Sequence, residues 1–307
     1  MSLLVVGSVA FDALETPFGK TDKIVGGSGS YISLSASYFT PKTNLVAVVG
    51  GDFSKSHIEA MRLHGVDTEG LQIRENEKTF FWKGRYHTDM NTRDTLVTEL
   101  NVLADFDPVI PESYQDCSYL MLGNLAPSVQ KTVLERLRKR PKLVAMDTMN
   151  FWMDTAWEDL MKTLKLVDAL IVNDSEARQL AGDYSLVKAA RKIMAMGPKI
   201  LIIKKGEHGA LLFFEDKLFY APALPLEEVF DPTGAGDTFA GGFIGFLARQ
   251  GEVTFDNMKR AVIYGSAMAS FCVEKFGMER LMNLTPAEIN GRVSQFVNLV
   301  KFEALQL

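Results

Sequence analysis

The run Asp231-Pro232-Thr233-Gly234-Ala235-Gly236-Asp237 is the part of this sequence best equipped for chemistry. It follows an irregular segment, APALPLEEVF, and leads straight into TFAGGFIGFLA, which reads as a helix. Its glycines let the backbone turn tightly and approach a ligand. The first turn of a helix carries unpaired N–H groups at the positive end of its dipole, a seat for phosphate. A carboxylate inside that turn would repel a resting phosphate. It makes sense as a base on an incoming hydroxyl, while backbone N–H groups hold the phosphoryl group in transfer. The plain alternative is a glycine turn in which Asp237 only starts a helix.

Other clusters fall after apolar runs, where α/β sheets bind ligands. Gly7-Ser8-Val9-Ala10-Phe11-Asp12 is the first; Asp12 suits substrate hydroxyls, or is simply a turn aspartate. Gly26-Gly27-Ser28-Gly29-Ser30-Tyr31 opens a helix. Asn173-Asp174-Ser175-Glu176 reads as an N-cap with its capping box, or as a pair close to magnesium and phosphate. Lys204-Lys205-Gly206-Glu207-His208-Gly209 is either a nucleotide-contacting loop or a hairpin turn into ALLFF. Arg85, Tyr86, His87, Asp89, Asn91 and Arg93 crowd one further stretch. There Arg93 would bind a phosphate carried by the substrate, or the group is a solvated sheet face.

Competing motifs fail on inspection. Gly19-Lys20-Thr21 ends like a phosphate-binding P-loop, but position 14 is leucine. Gly27-Ser28-Gly29 and Gly234-Ala235-Gly236 lack the last glycine of a dinucleotide fingerprint, having Ile32 and Phe239 there. His57, His64, His87 and His208 form no metal-ligand spacing.

The elements that must position these residues read as α/β. LLVVG (3–7), LVAVVG (45–50), YLML (119–122), LVAM (143–146), ALIV (169–172) and ILIIK (200–204) are continuous apolar runs, as buried parallel strands should be. Helical patterns lie at 30–39, 54–64, 128–140, 156–166, 174–181 and 185–196, alternating with them. The C-terminal third is helical at 235–250, 256–273 and 285–303. Between 71 and 104, LQIRE, TFFWKGRYH and TLVTELNVL alternate apolar and polar residues with no helix between. They predict a small, half-exposed antiparallel sheet attached to the main domain, either a flap over a cleft or a plain edge extension.

Composition narrows the class. The chain has 307 residues and 34.1 kDa, 47% hydrophobic and 23% charged, which is neither disordered nor fibrous. The net charge of −5 argues against a nucleic-acid partner. Cys117 and Cys272 sit in apolar surroundings and read as buried free thiols, fitting a reducing cytosol. No apolar stretch approaches a membrane span, and the N-terminus lacks a signal-peptide pattern. The expectation is a cytoplasmic protein.

Taken together, Gly26-Gly27, Asn173-x-x-Glu176, Lys204-x-Gly206-x-x-Gly209 and the Asp231–Asp237 run resemble the ribokinase-like, or PfkB, family of carbohydrate and nucleoside kinases. They stand in the family's order across almost the whole chain. The resemblance implies a ribokinase-like α/β fold: a mostly parallel central sheet flanked by helices, with a small β lid. It is read as one domain over 1–307, with the lid drawn from about 13–24 and 71–104. It implies ATP-dependent phosphorylation of a hydroxymethyl group with Mg2+. Asp237 would be the base, and the N–H groups of Gly234, Ala235 and Gly236 the anion hole. Asp12, Gly26, Gly27, Tyr31, Asn124 and Arg93 would lie on the substrate side. Asn173, Glu176, Lys204, Gly206, Gly209 and Ser266 would line the nucleotide site, with Glu176 close to magnesium. Asp231 and Thr233 match positions that hold a monovalent cation such as K+ in some members. The lid would also offer edges for a homodimer.

The chain departs from the family in places. Tyr31 stands where many sugar kinases have asparagine, so a sugar-binding amide is replaced by an aromatic. Pro232 replaces the commoner threonine and should stiffen the turn. Asp147-Thr148-Met149-Asn150 matches a family Asp-x-Asn element only loosely. The main expectation is a sugar kinase. A nucleoside kinase is the alternative, favoured by Tyr31 and by Phe80, Phe81 and Trp82. A nucleotide-binding regulator without catalysis is disfavoured by Asp237, and a dinucleotide oxidoreductase by the failed fingerprints.

Overall fold

In a computed structural model, which describes residues 1–303, the apolar runs become strands. In chain order these are β1 (Leu3–Val6), β2 (Ala10–Thr16), β3 (Gly19–Gly26), β4 (Thr43–Gly50), β5 (Val66–Arg74), β6 (Phe80–Tyr86) and β7 (Arg93–Glu99). Then follow β8 (Tyr119–Leu122), β9 (Leu143–Asp147), β10 (Ala169–Asn173), β11 (Ile200–Lys204), β12 (Ala210–Phe214) and β13 (Lys217–Ala221). The helices are α1 (Ser28–Ser37), α2 (Lys55–Leu63), α3 (Pro127–Arg136), α4 (Asn150–Thr155), α5 (Trp157–Leu164), α6 (Asp174–Ala181), α7 (Leu186–Met194), α8 (Ala235–Gln250), α9 (Phe255–Cys272) and α10 (Pro286–Val300).

A nine-stranded sheet runs in the order β13-β12-β11-β10-β9-β8-β1-β4-β5. From β11 to β5 it is parallel; β12 runs antiparallel to both its neighbours. Alternation along β1 explains why both faces are covered. Leu3 and Val5 enter the core shared with α1, α8 and α9, while Leu4 and Val6 enter the one beneath α5, α6 and α7. Burying such side chains contributes roughly 1.5–3 kcal/mol each.

The second sheet has four strands in the order β3-β2-β6-β7. Its pairing is antiparallel for β2 with β3 and for β6 with β7, and parallel for β2 with β6. The sequence reading differs here in its boundaries. LQIRE belongs to β5 and pairs with β4, so it is the edge of the large sheet. At this edge even Ile73 is exposed, so alternation in the sequence does not tell an edge strand of the large sheet from a strand of the small one. The small sheet also starts earlier than residue 13, at Ala10. The short helix α4 and the strand β13 have no counterpart in that reading.

No helix among the described residues is long and apolar enough to cross a membrane. Cys117 and Cys272 are buried free thiols.

Candidate active site

Three adjacent strands deliver polar groups to the C-terminal end of the large sheet. Asp147 pairs with Ile171, and Asn173 with Lys204, so β9, β10 and β11 end side by side. Lys204 Nζ lies 3.5 Å from Asp147 Oδ2. The same ammonium sits 2.8 Å from where a β-carbon on Gly236 would stand, against the first turn of α8. A cation and a helix N-terminus thus converge, an arrangement suited to an anion.

The turn itself is held from below. Gly234 precedes α8 with φ 74°, and a β-carbon there would fall 2.5 Å from the Tyr31 ring. Tyr31 is 1% exposed and belongs to the core beneath the turn. This corrects its expected place among residues facing substrate: the glycine leaves a hollow that the ring fills. The Tyr31 hydroxyl has no hydrogen-bond partner in the structure. Ala235 N–H is engaged too, donating to Pro232 O at 3.2 Å, while Thr238 N–H donates to Gly234 O at 2.7 Å. Of the three N–H groups expected to form the anion hole, Ala235's is thus engaged within the turn, while among the described residues no partner is found for those of Gly234 and Gly236, nor for that of Asp237.

Asp231 is fully buried. One oxygen accepts Thr233 N–H and the other Gly277 N–H, each at 2.8 Å. Thr233 Oγ1 donates to Tyr86 of the small sheet. The two residues expected near a monovalent cation thus also brace the turn. Among the described residues, no three His, Cys, Asp or Glu side chains converge on a metal position.

Four carboxylates share the cleft. Burial pushes Asp237 up to about 7; the charge of Asp147 adds to this, and Lys204 and Arg93 oppose it. Burial and then Asp147 likewise push Glu176 up to about 7. Asp147 is itself raised by burial against the pull of Lys204. Burial lowers Lys204, but Asp147, Glu176 and Asp237 outweigh it and hold the ammonium above its usual range. Asp12 is raised to about 7 by burial, then by Asp231 and Asp237, with Arg93 opposing. The Asp12 carboxylate lies directly over Gly26, where a β-carbon would come within 1.9 Å of Oδ2. Gly27, the residue before α1, completes that turn.

Asn173 is the capping residue its sequence suggests. Its Oδ1 accepts Glu176 N–H at 2.8 Å, and Glu176 Oε2 accepts Asn173 N–H at 2.7 Å. The capping box aims a carboxylate into the cleft, so structural and functional readings of this pair coexist. Asn124 is less available: its amide donates to Met149 Sδ and accepts from Trp152 Nε1. Arg93 projects from β7 beside Trp82, 5.6 Å from the ring centre. Asp147 is the residue that sequence reasoning underweighted; its signal was an aspartate closing an apolar strand.

Beside this cluster lies a cavity of about 400 Å³. Lys204, Gly206, Gly209, Gly236 and Ser266 line it together, with an apolar wall from 223–229. A lining that combines Lys204 with several apolar side chains fits a nucleotide.

The model of the pfkB family of carbohydrate kinases matches residues 2–283. The chain belongs to that family. Its activity is that of an ATP-dependent sugar or nucleoside kinase, with an alcohol group as acceptor; kinases of this family use ATP with Mg2+. A cytidine kinase from Thermococcus kodakarensis is 31% identical over 253 residues, 81% of this chain and 89% of that protein. A nucleoside kinase from Methanothermobacter thermautotrophicus is 26% identical over 306 residues, covering 90% and 91%. The crystal structure of a Methanocaldococcus jannaschii nucleoside kinase, a ribokinase-family member, superposes with a TM-score of 0.76. It covers 96% of this chain and 98% of its own at 19% identity. The fold is therefore ribokinase-like, as the motifs implied.

Proposed function

We propose that this kinase phosphorylates the hydroxymethyl group of a nucleoside, with Asp237 as general base. One observation carries the acceptor class. Asp12 and Trp82 are paired across β2 and β6 and stand side by side on one face of the small sheet. A carboxylate suits ribose hydroxyls, and a neighbouring indole suits a flat base. The similarity to proteins named cytidine kinase and nucleoside kinase supports the same choice over a free sugar.

In this reading the cavity of about 400 Å³ receives ATP. Lys204 and the N–H groups of Gly236 and Asp237 hold the transferring phosphoryl group where its charge develops. Glu176 and Asp147 would face a magnesium ion held chiefly by the nucleotide phosphates, where it neutralises charge on the transferring group. Asp12 fixes the acceptor, and Asp237 takes the proton from its hydroxyl as the oxygen attacks. The small sheet covers the acceptor and excludes water. Asp231 keeps the turn in shape.

The test is ADP release from MgATP across panels of nucleosides, free sugars and sugar phosphates, with Asp237→Asn as the blank. Nucleosides should turn over. Trp82→Ala should raise the acceptor KM by about tenfold, within the ~1–3 kcal/mol worth of a base stacked on an aromatic ring. Turnover confined to sugars, indifferent to Trp82→Ala, would overturn the assignment.

A further inference from the structure

The β6–β7 hairpin starts on the acceptor side and ends on the donor side. Tyr86 and Arg93 are its last cross-strand partners before the turn. Tyr86 rests on the Asp231–Asp237 turn through Thr233, at 3.1 Å. The tip, residues 87–92, continues past that turn to the loop after β11. There Asp89, Met90 and Asn91 line the same cavity as Gly206, Gly236 and Ser266. Asn91 Oδ1 lies 3.0 Å from where a β-carbon on Gly206 would stand. The tip holds its own shape. Asp89 accepts the N–H groups of Asn91 and Thr92 at 3.1 and 2.9 Å and the Thr92 hydroxyl at 2.6 Å.

We propose that this tip is a wall of the phosphodonor pocket, and that the Asn91 carboxamide contacts the ribose or phosphate oxygens of the bound nucleotide. The proposal rests on the reading that the cavity holds ATP. Asn91 stands beside Gly206, on the loop after β11 that follows Lys204, while Leu224, Pro225, Leu226 and Val229 give the cavity apolar lining that suits a base. A carboxamide offers both a donor and an acceptor, which matches a ribose hydroxyl or a phosphate oxygen. The hairpin that carries Arg93 and Tyr86 over the acceptor would thereby also be a ligand of the donor. Nucleotide alone would then order the cover of the acceptor site.

Two measurements test this. In steady-state kinetics, Asn91→Ala should raise the KM for ATP about 3–10-fold, the worth of one hydrogen bond, and leave the acceptor KM within about twofold. In the unaltered protein, ADP without acceptor should slow amide hydrogen exchange across residues 87–92. This second readout stands even if the variant misfolds. Ala269→Phe, which fills the cavity from α9, serves as the reference. If it blocks ATP binding while Asn91→Ala keeps the original KM for ATP and ADP protects nothing at 87–92, the proposal is overturned alone. If Ala269→Phe leaves ATP affinity intact, the nucleotide binds elsewhere and both readings fall.

Discussion

Tyr86, the last residue of β6, meets Thr233 of the turn before α8: the threonine hydroxyl donates to the tyrosine oxygen at 3.1 Å. Tyr86 is 5% exposed, so the contact is shielded from water. It links the small sheet to the turn that ends in Asp237. Tyr86→Phe removes the acceptor and strands the Thr233 hydroxyl. We expect kcat to fall about 3–10-fold and stability by about 1 kcal/mol. An unchanged kcat would reduce Tyr86 to packing.

Asp237→Asn should keep the fold and the affinity for ATP. Turnover should drop by about 10²–10⁴-fold, the usual contribution of a positioned base. Isothermal titration with ATP, set beside single-turnover rates, separates the two effects. A near-original rate would remove Asp237 from the base role.

The acid limb of activity follows from the same residue. Burial, then Asp147, push Asp237 up to about 7, so below that pH the base is protonated. The value of kcat/KM should therefore fall on the acid side of about pH 7. Lys204 opposes the shift. In Lys204→Met the residual activity should show its limb at higher pH. A limb that stays in place would mean another group sets it.

Stability should run the opposite way. Asp12, Glu176 and Asp237 are each raised to about 7, with burial the first cause. Folding therefore binds protons between the ordinary carboxylate range and about 7. Stability is full below that range and is lost as pH rises through about 7. Asp237→Asn relieves one such charge. Its melting temperature should exceed that of the original protein at pH 8, with the gain gone near pH 4. Equal melting curves at pH 8 would contradict the burial argument.

Gly26→Ala tests a close approach. The added methyl would fall 1.9 Å from Asp12 Oδ2, a contact that real atoms do not make. Asp12 or the β2–β3 pair must shift. We expect a loss of about 1–3 kcal/mol in denaturant unfolding and a raised acceptor KM, with the ATP KM preserved. A normal acceptor KM would show that Asp12 does not bind the acceptor.

Much of the fold was legible because its signals are local. Continuous apolar, β-branched runs such as ALIV and ILII read as strands buried on both faces, and they lie side by side as β10 and β11. The Asn173–Glu176 capping box needs four consecutive residues and formed as written. The Asp231–Asp237 turn depends on two glycines and a helix start, all within one short segment.

What the sequence left open depends on residues far apart in the chain. The alternation in β5 says nothing about which sheet the strand joins. Tyr31 reads as a binding aromatic until Gly234, some two hundred residues later, takes the space above its ring. Asp147 gains meaning only when β9 and β11 end near each other and Lys204 reaches it at 3.5 Å. Ala235 loses its free N–H to a turn that closes on Pro232. The sequence alone determined the α/β class, the Asp231–Asp237 glycine turn at a helix start and the family, since periodicity and short motifs are properties of neighbouring residues. The tertiary structure decided which charges share the cleft and which polar groups stay free, because burial and electrostatic coupling depend on distance in space.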